Sequence, residues 1–180
     1  LAAALRGNTH VLHLQLTNSF VDVPGHGNTL TDRGVSMLEA VISRCAVEFV
    51  DLPRTISLER RTAVAALGLA NICASIAADS PRYSTLDLSG VGLSDDTLGA
   101  LAKALLGNTQ VERVVLCQTW GTTHPPPPTF TDAGLELLRH SIPECAVNNV
   151  ALSINDLDGV SAAASAALQR VWMPKLVSWI

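Results

Sequence analysis

Leu1-Ala-Ala-Ala-Leu-Arg-Gly-Asn-Thr9 returns, at an offset of 100 residues, as Leu101-Ala-Lys-Ala-Leu-Leu-Gly-Asn-Thr109. Two further segments return at the same offset. Thr31-Asp-Arg-Gly34 matches Thr131-Asp-Ala-Gly134, and Cys45-Ala-Val47 matches Cys145-Ala-Val147. Similarity at a fixed period marks stacked structural repeats, which work by displaying an extended surface.

Smaller units lie within that period. Alternating apolar segments begin at Val11, Val47, Tyr83, Val111 and Val147 and end at Leu16, Leu52, Leu88, Leu116 and Leu152, with spacings of 36, 36, 28 and 36 residues. The alternation predicts five strands, and the spacing fits a 28-residue unit enlarged by insertions. Helical patterns lie between them. Leu98, Leu101 and Leu105 form one stripe within residues 93–105, and further helices are expected over 58–78 and 157–171. Thr31, Ser94 and Thr131 occupy N-cap positions, each followed by an Asp that favours the positive end of the helix dipole. Gly7-Asn8 and Gly107-Asn108 end helices, because both residue types tolerate left-handed backbone.

A unit of strand, loop, helix and turn resembles the leucine-rich repeat, with its outline L-x-x-L-x-L-x-x-N/C-x-L. Val147-Asn-Asn-Val-Ala-Leu-Ser-Ile-Asn-Asp-Leu157 matches every anchor, including Asn155. Residues 83–93 match four anchors but carry Val91 at the Asn position, where Ser19, Thr55 and Thr119 stand in other units. The unit length and helix starts look like the ribonuclease-inhibitor-like class. That resemblance implies an α/β solenoid, a horseshoe of about five to six repeats with a parallel sheet on the concave face and helices outside. Residues 1–180 would form a single leucine-rich-repeat domain. Residues 1–9 read as the second half of a helix and 173–180 as the start of a sixth strand, so the chain is expected to be an excerpt of a longer protein.

Composition narrows the function. The hydrophobic content of 48% is almost free of aromatics (4%), so Leu, Val, Ala and Ile must build the core. Twelve basic against 16 acidic residues give a net charge of −4, which argues against nucleic acid as partner. The apolar run 63–78 is interrupted by Gly68, Asn71 and Ser75 and is too short to span a bilayer, so no membrane insertion is expected. Cys45 and Cys145 occupy equivalent places in distant repeats, and no Asn-x-Ser/Thr acceptor occurs, which favours a reducing, cytoplasmic setting.

Residues between the inward-pointing leucines face outward on each strand. They are the candidate protein-binding surface: His13, Gln15 and Thr17; Phe49, Asp51 and Arg54; Thr85 and Asp87; Arg113 and Val115; Asn149 and Ala151. Phe49 and Arg113 are the types that most often anchor a partner. The Pro- and Gly-rich insertions 17–29 and 117–129 form a second candidate surface, each containing an aromatic residue and a His. A catalytic constellation is missing. The five histidines are scattered, metal-ligand spacings and a phosphate-binding glycine loop do not occur, and Cys117 has no local base. No cofactor, metal or enzymatic activity is expected. The reading is a non-catalytic scaffold for a protein partner within a larger protein or assembly. The resemblance also implies two alternatives: a Ran-type GTPase-activating protein, or the sensing region of an innate-immune type receptor.

Overall fold

Each alternating segment forms a short strand, and each leucine stripe a helix. In chain order the elements are α1 (Ala2–Leu5), β1 (His13–Gln15), α2 (Asp32–Ile42), β2 (Phe49–Asp51), α3 (Leu58–Ala77), β3 (Thr85–Asp87), α4 (Asp95–Leu105), β4 (Arg113–Leu116), α5 (Asp132–Ser141), β5 (Asn149–Leu152) and α6 (Ala162–Val177). A 3-10 turn at Ile142–Glu144 leads from α5 towards β5. These elements come from a computed structural model that describes residues 1–16, 30–52, 56–88, 93–116, 130–152 and 160–177.

The architecture is mixed α/β, and it is not the expected horseshoe. The described strands form two separate parallel sheets, β1-β2 and β3-β4-β5, with no continuous sheet through all five. The physical reason is that alternation encodes which side of a strand is buried, while the hydrogen-bond partners of its edges leave no mark in it. The break falls between β2 and β3, where the connecting helix α3 has 20 residues against 10 or 11 in α2, α4 and α5. At 1.5 Å per residue α3 is about 30 Å long, about twice the others. The expected sixth strand is also absent from 173–177, where the Ala-rich α6 continues across Pro174. The Asn-position residues Ser19, Thr55, Val91, Thr119 and Asn155 lie outside the described residues.

Two compact units result, Leu1–Ile72 and Cys73–Ile180, with the division inside α3. In the first, β1 and β2 pair in parallel and Val35, Leu38 and Ile42 of α2 pack with Leu5, Val47, Leu52 and Val64. Asn71 locks this unit from α3. Its side-chain amide donates to the carbonyls of Ile42, Cys45 and Val47 at 3.0, 3.1 and 2.5 Å, tying α3 to the end of α2 and to the chain that follows it. In the second unit, Leu86, Val114 and Val150 point inward from β3, β4 and β5 and are buried, as are Leu98, Leu101, Leu105, Leu135 and Leu138 from α4 and α5. Phe130, ahead of α5, is the largest fully buried side chain among the described residues.

The helix ends follow the local chemistry. The hydroxyls of Thr31, Ser94 and Thr131 accept from the amides of Gly34, Thr97 and Ala133, and Ser94 with Thr97 completes a capping box. Gly7 and Gly107 both stand at φ +72°, where a side chain would be strained. No described helix is long and apolar enough to cross a membrane.

Asp95, in the first turn of α4, also caps the next helix. Its carboxylate accepts from the Thr131 amide (2.7 Å), the Thr131 hydroxyl (2.9 Å) and the Gly134 amide (3.0 Å) at the start of α5. Asp132 repeats the device, accepting from the Ser161 amide at 2.7 Å just before α6. The Thr131 amide is the main cause holding the Asp95 carboxyl below the usual carboxylate range, and the Thr131 hydroxyl and Gly134 amide add to it. A carboxyl whose folded pKa lies below its unfolded value of about 3.9 contributes fully above that value. Its contribution is lost as pH falls through the folded pKa. Asp95→Asn is therefore expected to shrink the loss of stability between about pH 6 and about pH 3. Urea midpoints of both proteins at the two pH values check this, and equal losses would remove the role of the Asp95 charge.

Candidate functional site

Pleating sets the outward residues of each sheet side by side. In the first unit the register pairs His13 with Phe49 and Gln15 with Asp51. His13 and Gln15 are exposed and Phe49 is half-buried. The rings of His13 and Phe49 meet edge to face, with centroids 6.0 Å apart and an interplanar angle of 62°. Such geometry fixes an aromatic group at the surface without burying it. Asp51 is placed by its backbone at the end of β2, and Thr17 and Arg54 lie outside the described residues.

The second unit carries the more regular surface. Arg113 of β4 stands between Thr85 of β3 and Asn149 of β5, in register with both. The next outward row is Asp87, Val115 and Ala151. Thr85, Asp87 and Arg113 are exposed, while Val115, Asn149 and Ala151 are half-buried. The alternation between these rows and the buried Leu86, Val114 and Val150 is what a sheet with one packed and one open face must show. A guanidinium in the middle of the row has donors to spare for a carboxylate or carbonyl on a partner. Asp87 and Arg113 stand in adjacent rows of opposite sign, so the face can match a partner of mixed charge.

No protein-family model matches the chain, and no curated protein matches it either.

The surface is therefore judged on its own chemistry. Among the described residues, no three His, Cys, Asp or Glu side chains gather closely enough to hold a metal ion. Cys45, Cys73 and Cys145 are free thiols. The thiols of Cys45 and Cys145 donate to the carbonyls of Ile42 and Ile142, a local contact that recurs at the 100-residue offset. Burial pushes the Cys73 thiol up to about 11, so it stays protonated and unreactive near neutral pH. Cys117, both insertions (17–29 and 117–129) and their aromatic residues lie outside the described residues.

Nothing in the sequence announces the edge-to-face pair, because His13 and Phe49 become neighbours only once β1 and β2 pair. It also hid the side-chain clamps of Asn71, Asp79 and Asn108. Asp79 has φ +51°, a left-handed setting that Asp tolerates, and its carboxylate accepts from the amide and hydroxyl of Thr109. The shared Gly-Asn-Thr of the two 100-residue copies was the available signal.

Proposed function

We propose that this chain is a non-catalytic protein-binding module that uses the outward faces of its strands. The observation that carries the reading is the register of the second sheet, which aligns Thr85, Arg113 and Asn149 across three strands above a buried apolar layer. A polar row with a central arginine suits recognition of a folded partner, since the sheet already fixes the backbone that carries it. His13 and Phe49 give the first unit an aromatic anchor of the kind enriched at interfaces. The free thiols support a reducing, cytoplasmic setting.

Affinity purification of the intact protein from its own cells, beside a version carrying Phe49→Ala and Arg113→Glu, tests the reading. A stable partner retained by the native protein and lost by the double variant is expected. An interface anchor of this type contributes about 2 kcal/mol or more, so the double variant should weaken binding by at least about 100-fold. A partner that binds both forms equally would take the strand faces out of the interaction.

A further inference from the structure

Arg113 is the central residue of an outward row on the second sheet, in register with Thr85 on one side and Asn149 on the other. Among the described residues, none bonds to its guanidinium, to the Thr85 hydroxyl or to the Asn149 side-chain amide. Acids are close at hand. Glu112 precedes Arg113 in the chain and Asp87 lies one outward row further on, yet neither forms an ion pair with it. Arginines on the helices differ: Arg60 reaches Glu39 at 3.6 Å, and Arg139 Nε donates to Glu136 at 2.7 Å.

The ladder accounts for this. Strands stand about 4.8 Å apart and successive outward rows about 7 Å, so Asp87 is offset from Arg113 in both directions. The guanidinium is left exposed with its donor fork intact, and a hydroxyl and an amide flank it. That set of donors matches one ligand group best. A carboxylate only accepts, offers about four lone-pair sites on two oxygens, and pairs with arginine through two parallel bonds. Two sites go to the fork, and the outer two are open to Thr85 and Asn149. A peptide carbonyl carries no charge and cannot span the fork, and its bonds are about half as strong. A phosphate monoester brings a charge of about −2 beside Glu112 and Asp87, which one arginine does not offset.

We infer that the row Thr85, Arg113 and Asn149 receives an acidic side chain, Asp or Glu, of the protein that binds this face; this rests on the strand-face reading above and adds the group recognised. Charge complementarity chooses the occupant. One exposed cation between two neutral donors takes one negative charge and leaves none of the three donors without an acceptor.

The test is a double-mutant cycle on the full chain. Its probe is the protein that the native chain retains from its own cells, with each Asp and Glu changed in turn to Asn or Gln. Arg113→Gln keeps an amide donor and loses the charge, and is expected to weaken binding by about 30-fold. One acid change on the probe should cost the native chain as much, and cost the Arg113→Gln variant less than about threefold. Arg113→Lys keeps the charge without the fork and should fall between. Should Arg113→Gln lower the urea midpoint, Arg113→Lys takes its place in the cycle. Binding by Arg113→Gln within about threefold of native, while Phe49→Ala releases the probe, overturns the carboxylate assignment and leaves the strand-face reading standing. Acid changes that all add independently to Arg113→Gln overturn it as well. Binding abolished by phosphatase treatment of the probe would make the group a phosphate, and a probe that proves to be a second copy of this chain would change the occupant; either overturns the assignment. If the cells yield no retained protein, both readings fall together.

Discussion

Gly68→Ala destabilises the first unit by about 2 kcal/mol, although the substitution improves helix propensity. Gly68 lies in the interior of α3, where alanine is ordinarily better by about 1 kcal/mol. Here a Cβ would land on the carbonyl oxygen of Glu48, with the carbonyl carbon 2.8 Å away. That obstacle is backbone and has no rotamer to escape into. Forcing extra volume into such a contact costs about 3 kcal/mol, which outweighs the propensity gain. Gly99→Ala in α4 provides the opposite sign. Its Cβ would meet the end of Leu137 alone, at 3.2 Å, and that side chain is exposed and free to turn. A gain of about 0.5 kcal/mol is expected there. Guanidinium denaturation of both variants checks the pair, and a neutral Gly68→Ala would mean that α3 does not approach Glu48 this closely.

Asn108→Ala costs about 3 kcal/mol, and Asn8→Ala no more than about 1 kcal/mol, although the two residues are equivalent in sequence. Asn108 is 3% exposed; its oxygen accepts from the amides of Gln110 and Val111 while its nitrogen donates to Ile76. Truncation strands the buried Val111 amide away from water and takes a bond from the Ile76 carbonyl, and unpaired buried polar groups are expensive. Asn8 makes the same two bonds through its oxygen, to the amides of His10 and Val11, but at a half-exposed site where water can replace it. Urea midpoints give the difference directly. Equal losses in both variants would contradict the contrast between the buried and the half-exposed asparagine.

What the sequence makes legible here is local. Thr-Asp and Ser-Asp at the helix starts identify the N-caps because capping needs one hydroxyl and the next few amides. Strand faces are legible for the same reason, since burial alternates within five or six residues. Pairing is not local. The same alternation at Val47–Leu52 and Tyr83–Leu88 suits one continuous sheet as well as two, and the structure divides them. Contacts such as that of Asp95 with Thr131 join residues 36 positions apart, and nothing in the spacing of either residue announces the other. For the candidate surface, the sequence placed Arg113 outward correctly, but its neighbours Thr85 and Asn149 needed the register to bring them into one row.

The carboxylate bridges from α4 to α5 and onward towards α6 impose a direction on the second unit. Asp95 completes the start of α5, and Asp132, itself in the first turn of α5, holds the residue that opens α6. α5 and α6 thus each draw a bond for their start from the helix before, whereas α4 is closed by its own Ser94 and Thr97. Peeling α6 away leaves the start of α5 fully satisfied, whereas displacing α4 strips it of three bonds at once. The first turn of α5 therefore answers to α4 alone, and a change that loosens α4 is expected to be felt at the start of α5 before it is felt at α6.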